Sequence, residues 1–207
     1  MPALDALRDL IQSVAITKRG PGEPDFVLAS GKHSRYYCDT RRVTLSPEGA
    51  RLTGEALFAL VDGQAVDAVG GLALGATFIA VAVALISAQH RRPVYGFTVR
   101  DAQKSHGTKE TIAESFHPDG RPLLGPGRRV LVVDDVVTAG GSIVKAIEAV
   151  EARGCEIVAA VSLVDRNEGG GDLLRARGLP YFALFGVTPS GDLTISDDPR
   201  VQRLLSQ

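Results

Sequence analysis

The stretch Arg129–Asp135 constrains the fold more than any other part of the chain. Val130, Leu131, Val132 and Val133 are continuously apolar, the pattern of a parallel strand covered on both faces. A small, glycine-bearing turn follows at Thr138–Ser142. Next comes a helical stretch, Ile143–Arg153, stopped by Gly154, and then a second apolar strand at Glu156–Val164. Strand, loop, helix, strand is a βαβ unit, and such units assemble into parallel sheets with helices on both faces. The same alternation is visible upstream. Ser46-Pro47-Glu48 has the marks of a helix start: a hydroxyl cap, proline at the first helical position and an acid near the positive end. That helix is expected to reach Val61. Strands at Val66–Gly71 and Pro93–Val99 flank a further helix over Ala76–Gln89. The predicted fold class is α/β, a doubly wound parallel sheet.

The flanks read differently. Leu4–Val14 has apolar residues at 4, 7, 10, 11 and 14, one face of a helix. After the polar stretch Thr17–Asp25, Phe26–Leu28 and Arg35–Asp39 look extended, with Ser30–Ser34 between them, a hairpin-like addition. Tyr181–Val187 supplies one more strand and Asp198–Ser206 a terminal helix. One domain over 1–207 is expected, with the N-terminal helix and hairpin in 1–45, the α/β core in 46–187 and a tail in 188–207. Arg100–Gly127 is long, polar and rich in charge and glycine, without periodicity, and reads as a loop. Long loops inside compact domains are uncommon and often functional.

Composition excludes several classes. Hydrophobic residues at 44% and charged residues at 23% of 207 are those of a globular protein, not a disordered one. A formal net charge of −1 provides no general field for nucleic acid or an anionic membrane, so a bound anion must be held by local groups. Cys38 and Cys155 lie far apart without metal-ligand spacing and read as free thiols. Met1–Ala15 carries acids and is not a secretory signal. Phe78–Ala88 falls short of the ~20 residues that cross a bilayer. These features place the chain in the cytoplasm.

Val132–Ser142 carries the most chemistry. Ligands of doubly wound sheets sit beyond the carboxyl ends of the strands, and this segment occupies such an end. Backbone N–H groups of Thr138, Ala139, Gly140, Gly141 and Ser142 can approach an anion closely, two hydroxyls add donors, and the next helix points its positive end there. A phosphate monoester suits the loop. Asp134 and Asp135 would repel that phosphate unless they address sugar hydroxyls or a divalent cation; the other reading of the pair is a turn and helix cap. The Gly-Lys-Ser/Thr ending of a P-loop is absent.

An apolar strand, two acids, two apolar residues and Thr-Ala-Gly-Gly-Ser resemble the signature of type I phosphoribosyltransferases. Three further segments are similar to the orotate phosphoribosyltransferases within that group. Phe26–Asp39 resembles the N-terminal hood that covers the base, which puts Tyr36 and Tyr37 beside orotate. Val99–Gly107 resembles the mobile catalytic loop, with Arg100, Lys104 and His106 at its basic positions. Ser162–Gly169 places Arg166 at the base-binding position. Val69–Ala76 looks like the loop that contacts pyrophosphate through its backbone. There are departures: Ala29, Gly75 and Asp101 stand where lysines are common.

The resemblance implies transfer of phosphoribosyl from 5-phosphoribosyl 1-diphosphate to orotate with inversion at ribose C1, giving orotidine 5′-monophosphate and diphosphate. It implies that Asp134 and Asp135 hold the ribose hydroxyls and Thr138–Ser142 the 5-phosphate. Lys104, His106 and Arg100 would stabilise the departing diphosphate, and Mg2+ would bridge substrate oxygens, with no metal site made of protein ligands alone. It also implies a homodimer in which the loop 100–109 reaches the neighbouring active site. Two other readings stay open at this point: transfer to another nucleobase, and a non-catalytic sensor of the donor.

Overall fold

The computed structural model describes residues 2–28, 31–101, 111–114, 116 and 119–205. The chain begins with α1 (Pro2–Leu10), a π-helical turn (Ile11–Ala15), β1 (Ile16–Lys18), β2 (Phe26–Val27), β3 (His33–Ser34), β4 (Tyr36–Cys38) and α2 (Arg41–Thr44). It continues as α3 (Pro47–Val61), β5 (Ala68–Leu72), α4 (Gly75–Gln89), β6 (Tyr95–Val99), β7 (Ile112–Glu114), β8 (Arg129–Val137) and α5 (Gly141–Glu151). The last elements are β9 (Glu156–Asp165), α6 (Gly170–Ala176), β10 (Tyr181–Val187), β11 (Leu193–Ile195) and α7 (Pro199–Leu205).

Seven strands form the main sheet in the order β11-β10-β9-β8-β5-β6-β7. Pairing is parallel from β10 through β6 and antiparallel only at the edges, β7 on β6 and β11 on β10. The helices cover both faces. Ile79 and Val83 of α4 pack into one buried cluster with Leu4 and Leu7 of α1 and Leu57 of α3. Ile143, Ile147 and Val150 of α5 pack into a second, with Val130 and Val132 of β8. Val130–Val133 are buried from both sides, as their unbroken apolar run requires, and each such side chain stabilises the fold by about 1.5–3 kcal/mol. Chain progression runs from β5 to β6 one way and from β8 to β9 and β10 the other. The topological switch point therefore lies between β5 and β8, where ligands of such sheets bind.

The α3 boundaries are those read from sequence, and Ser46 Oγ accepts a hydrogen bond from Gly49 N at 3.0 Å as the cap. At the N-terminus the expected helical face breaks down after Leu10. The π turn places an extra residue in that turn, so Ile11 and Ala15 are buried while Val14 points outward. Arg100–Gly127 is not all loop either. Ile112–Glu114 pairs with β6, setting Ile112 opposite Val99 and burying it. Three residues are too few to display a period, so only the partner strand reveals β7. The stretch assigned to the tail contributes β11, and α6 had no sequence signal because its first turn is glycine.

β2 and β3 form a hairpin, and β1 pairs with β4. The Arg35 guanidinium ties this addition together, donating to the carbonyls of Arg19, Gly20 and Glu23 at 2.7–3.1 Å. Ser34 and Thr40 each hydrogen-bond residues at the carboxyl edge of the main sheet, so the addition lies over that edge. Among the described residues, no helix is long and apolar enough to cross a membrane.

Candidate active site

The last turns of β8 bring two carboxylates to the switch point. Asp134 is 5% exposed, and burial, reinforced by the charge of Asp135, pushes its carboxyl well above the usual carboxylate range. Its Oδ1 accepts from Asp135 N at 3.0 Å. Asp135 points the other way, and its Oδ2 accepts from Thr40 Oγ1 at 2.7 Å. Beyond them Thr138–Gly140 turns into α5. Gly140 takes φ +84°, a conformation that favours glycine, and no side chain caps the helix there. The first-turn N–H groups are thus left for an anion. This loop rests on α6: Gly170 N donates to Thr138 O at 2.8 Å, and a Cβ on Gly170 would lie 2.5 Å from that oxygen.

One strand over, Arg166 emerges at the end of β9 and is only 7% exposed. Its guanidinium lies 4.5 Å from the Tyr36 ring centroid, and its Nη2 donates to Ser34 Oγ at 3.0 Å. The Nε lies 2.9 Å from Glu168 Oε1 as an ion pair, but the N–H is not aligned for a hydrogen bond and is otherwise buried without a partner. Behind it, buried Asp165 accepts from Tyr181 Oη at 2.9 Å and from Asn167 N at 2.8 Å, fixing the turn that presents Arg166. Arg166, Tyr36, Ser34, Lys32 and Glu168 face a cavity of about 440 Å³. A flat ring carrying a carboxylate fits these groups: an aromatic face, a cation and hydroxyl donors.

A second cavity, of about 400 Å³, opens on the other side of β4, between Asp134, Asp135 and the turn after β5. The two tyrosines of β4 part here. Tyr36 is buried against Arg166, whereas Tyr37 is 40% exposed, lines the second cavity and packs on Phe26 with centroids 5.8 Å apart. Alternation along a strand enforces this split. Gly75 opens α4 in this cavity, and a Cβ there would lie 2.2–2.5 Å from the carboxylate atoms of Asp135. The space a Cβ at 75 would take is occupied by the Asp135 carboxylate. Arg100 ends β6 on the same carboxyl edge, its N–H bonded to Thr111 O at 2.8 Å, and Asp101 pairs with Lys145 of α5 at 2.6 Å. Lys104 and His106 lie outside the described residues, as does Ala29.

Residues 48–175 match the family model of the phosphoribosyl transferase domain. The chain is 44% identical to the orotate phosphoribosyltransferase of Aquifex aeolicus over 80% of its own length and 86% of that protein. The chain belongs to the orotate phosphoribosyltransferase family. Solved orotate phosphoribosyltransferases have the same architecture. The Mycobacterium tuberculosis enzyme in complex with Fe(III) dicitrate aligns at a TM-score of 0.73 and 32% identity, covering 92% of this chain and 99% of that one. The same enzyme in complex with 5-phospho-α-D-ribosyl 1-diphosphate aligns at 0.68 and 28% identity, over 92% and 93%.

For a phosphoribosyltransferase, the structure gathers Asp134, Asp135 and Ser142 around one cavity and Tyr36 and Arg166 around the other. Sequence reasoning singled out neither Thr40, which holds Asp135, nor Gly170, which underlies the turn Thr138–Gly140. The run Gly169-Gly170-Gly171 was a readable sign of close approach; nothing in the sequence marked Thr40. Among the described residues, no group of three or more His, Cys, Asp or Glu converges to cage a metal. The two carboxylates of Asp134 and Asp135 are hard oxygen donors of the kind a divalent cation takes.

Proposed function

We propose that this chain transfers phosphoribosyl from 5-phosphoribosyl 1-diphosphate to orotate, giving orotidine 5′-monophosphate and diphosphate, a step of pyrimidine biosynthesis. The observation that carries the reading is the buried Arg166 guanidinium over the Tyr36 ring, on the next strand from an acid pair and phosphate loop. In this assignment Arg166 takes the orotate carboxylate, Ser34 positions the guanidinium by accepting from its Nη2, and Tyr36 backs the ring. Thr138, Ala139, Gly140, Gly141 and Ser142 hold the 5-phosphate through the uncapped start of α5. Asp134 and Asp135 accept from the ribose hydroxyls. The exposed edge of Tyr37 borders the donor rather than the base.

The ring nitrogen forms its bond to C1 as the C1–oxygen bond to diphosphate breaks, and the proton the nitrogen gives up passes to the departing diphosphate or to solvent. Positive charge gathers on the ribose and negative charge on the leaving group, so placing fixed charges is the main catalytic task. Asp134 and Asp135 face the ribose, while Arg100, Lys104 and His106 supply cations for the diphosphate. Mg2+, when bound with the donor, would be held by Asp134 and Asp135 together with substrate oxygens and would neutralise diphosphate charge. The protein works as a cytoplasmic homodimer whose loop 100–109 serves the neighbouring site, and residues 1–207 act as one domain with 1–45 as its hood.

The direct test follows orotate's ultraviolet absorbance with Mg2+ and 5-phosphoribosyl 1-diphosphate. Orotate loss that needs Mg2+ and collapses in Lys104→Ala supports acceptor and loop together. Turnover of adenine, hypoxanthine or uracil in place of orotate would overturn the acceptor assignment.

A further inference from the structure

We propose that Arg41 binds the diphosphate of the donor, taking over from α2 the work of a lysine at position 75. The proposal rests on the donor assigned above. The cavity between β4, the β5 turn and the acid pair is lined by three carboxylates, Asp39, Asp134 and Asp135, and Arg41 is the one basic residue among its described lining residues. A diphosphate in such a field needs cations to meet it, and Arg41 adds one from the cavity wall itself to the Mg2+ and loop cations assigned above. The guanidinium is held in place. Its Nε donates to Asp39 Oδ1 at 2.7 Å and its Nη2 to Asp39 Oδ2 at 3.2 Å, while its other N–H groups have no protein partner among the described residues. An aimed, half-satisfied guanidinium is suited to bidentate capture of phosphate oxygens.

A second observation ties Arg41 to Gly75. A Cβ at 75 would meet the Asp135 carboxylate, so a side chain there requires that carboxylate to move. That carboxylate is fastened there by Thr40, the residue directly before Arg41. The first turn of α2 thus does two linked things: Thr40 draws Asp135 into the space a lysine would cross, and Arg41 brings positive charge to the cavity. Asp135 lies near enough to act on the Arg41 guanidinium electrostatically.

The competing role for Arg41 is that of a surface partner for Asp39 that steadies α2. The two roles separate by ligand. Calorimetry on the full chain with Mg2+ would compare wild type, Arg41→Lys and Arg41→Gln against 5-phosphoribosyl 1-diphosphate, inorganic diphosphate and ribose 5-phosphate. The expected result for Arg41→Gln is an affinity loss of about tenfold or more for the two diphosphate ligands, with ribose 5-phosphate unchanged. Arg41→Lys is expected to lose less. In kinetics, KM for the donor rises and KM for orotate does not. Equal loss for ribose 5-phosphate, or unchanged diphosphate binding in a folded variant, overturns the inference alone. Wild-type protein that fails to bind 5-phosphoribosyl 1-diphosphate overturns the functional reading and this inference with it.

Discussion

Asp134 is a buried carboxyl without a cationic partner among the described residues, raised by its surroundings above its ordinary pKa. A group raised on folding takes up protons as the chain folds. Its stabilising share is complete below the ordinary carboxylate pKa and is lost as pH rises through the folded value. At neutral pH the residue therefore weakens the free protein. Asp134→Asn keeps an acceptor for Asp135 N and removes the charge. Its expected effects are a gain of about 1 kcal/mol, seen as a Tm rise of roughly 2–4 °C at pH 7–8, and a flatter dependence of Tm on pH. Turnover should fall by about 10–100-fold, the loss of a charge-assisted hydrogen bond to substrate. A Tm that drops would mean the carboxylate is structurally required. Arg166→Gln carries the opposite bias. It removes a cation from beside Glu168 and the base cavity, and is expected to raise KM for orotate by about 10–100-fold while donor affinity holds. Steady-state kinetics with each substrate varied in turn checks the split.

At the scale of elements, the site is made where loops from neighbouring strands meet, and each loop is trimmed to admit the next. The start of α4 has no side chain at Gly75 because the end of β8 places Asp135 there. Restoring the common lysine is therefore expected to harm. Gly75→Lys must move the Asp135 carboxylate away from Thr40, and activity should fall by about tenfold or more because the acid loses its place. Higher activity in that variant would show that the acid pair can give way. The turn into α5 follows the same logic. It can lie against α6 only because Gly170 brings no Cβ to the Thr138 carbonyl.

At the scale of the whole molecule, the hood and the sheet edge enclose the two cavities, and the proposed dimer would add a loop from outside. Such an arrangement predicts complementation. Lys104→Ala and Asp135→Asn, each inactive alone, are expected to recover up to about a quarter of wild-type activity when mixed and allowed to exchange subunits, since half the dimers then hold one intact site. No recovery, with exchange verified, would place the loop in its own subunit's site.

The sequence by itself determined the parts whose signal is contiguous. The apolar run of β8, the glycine turn into α5 and the Ser46-Pro47 start of α3 depend on period, caps and backbone freedom, which a short stretch encodes in full. They were enough to predict a doubly wound sheet and to single out the glycine turn and acid pair that stand at its switch point. Tertiary structure alone decided which groups meet. Thr40 reaches Asp135 across 95 residues of chain and Arg166 reaches Ser34 across 132. It separated Tyr36 from Tyr37 into different cavities, formed β7 and β11 against partner strands, and set Arg41 in one cavity wall with a glycine from another helix. Those contacts leave no local pattern, because their free energy comes from packing and charge between segments that only the fold brings into reach.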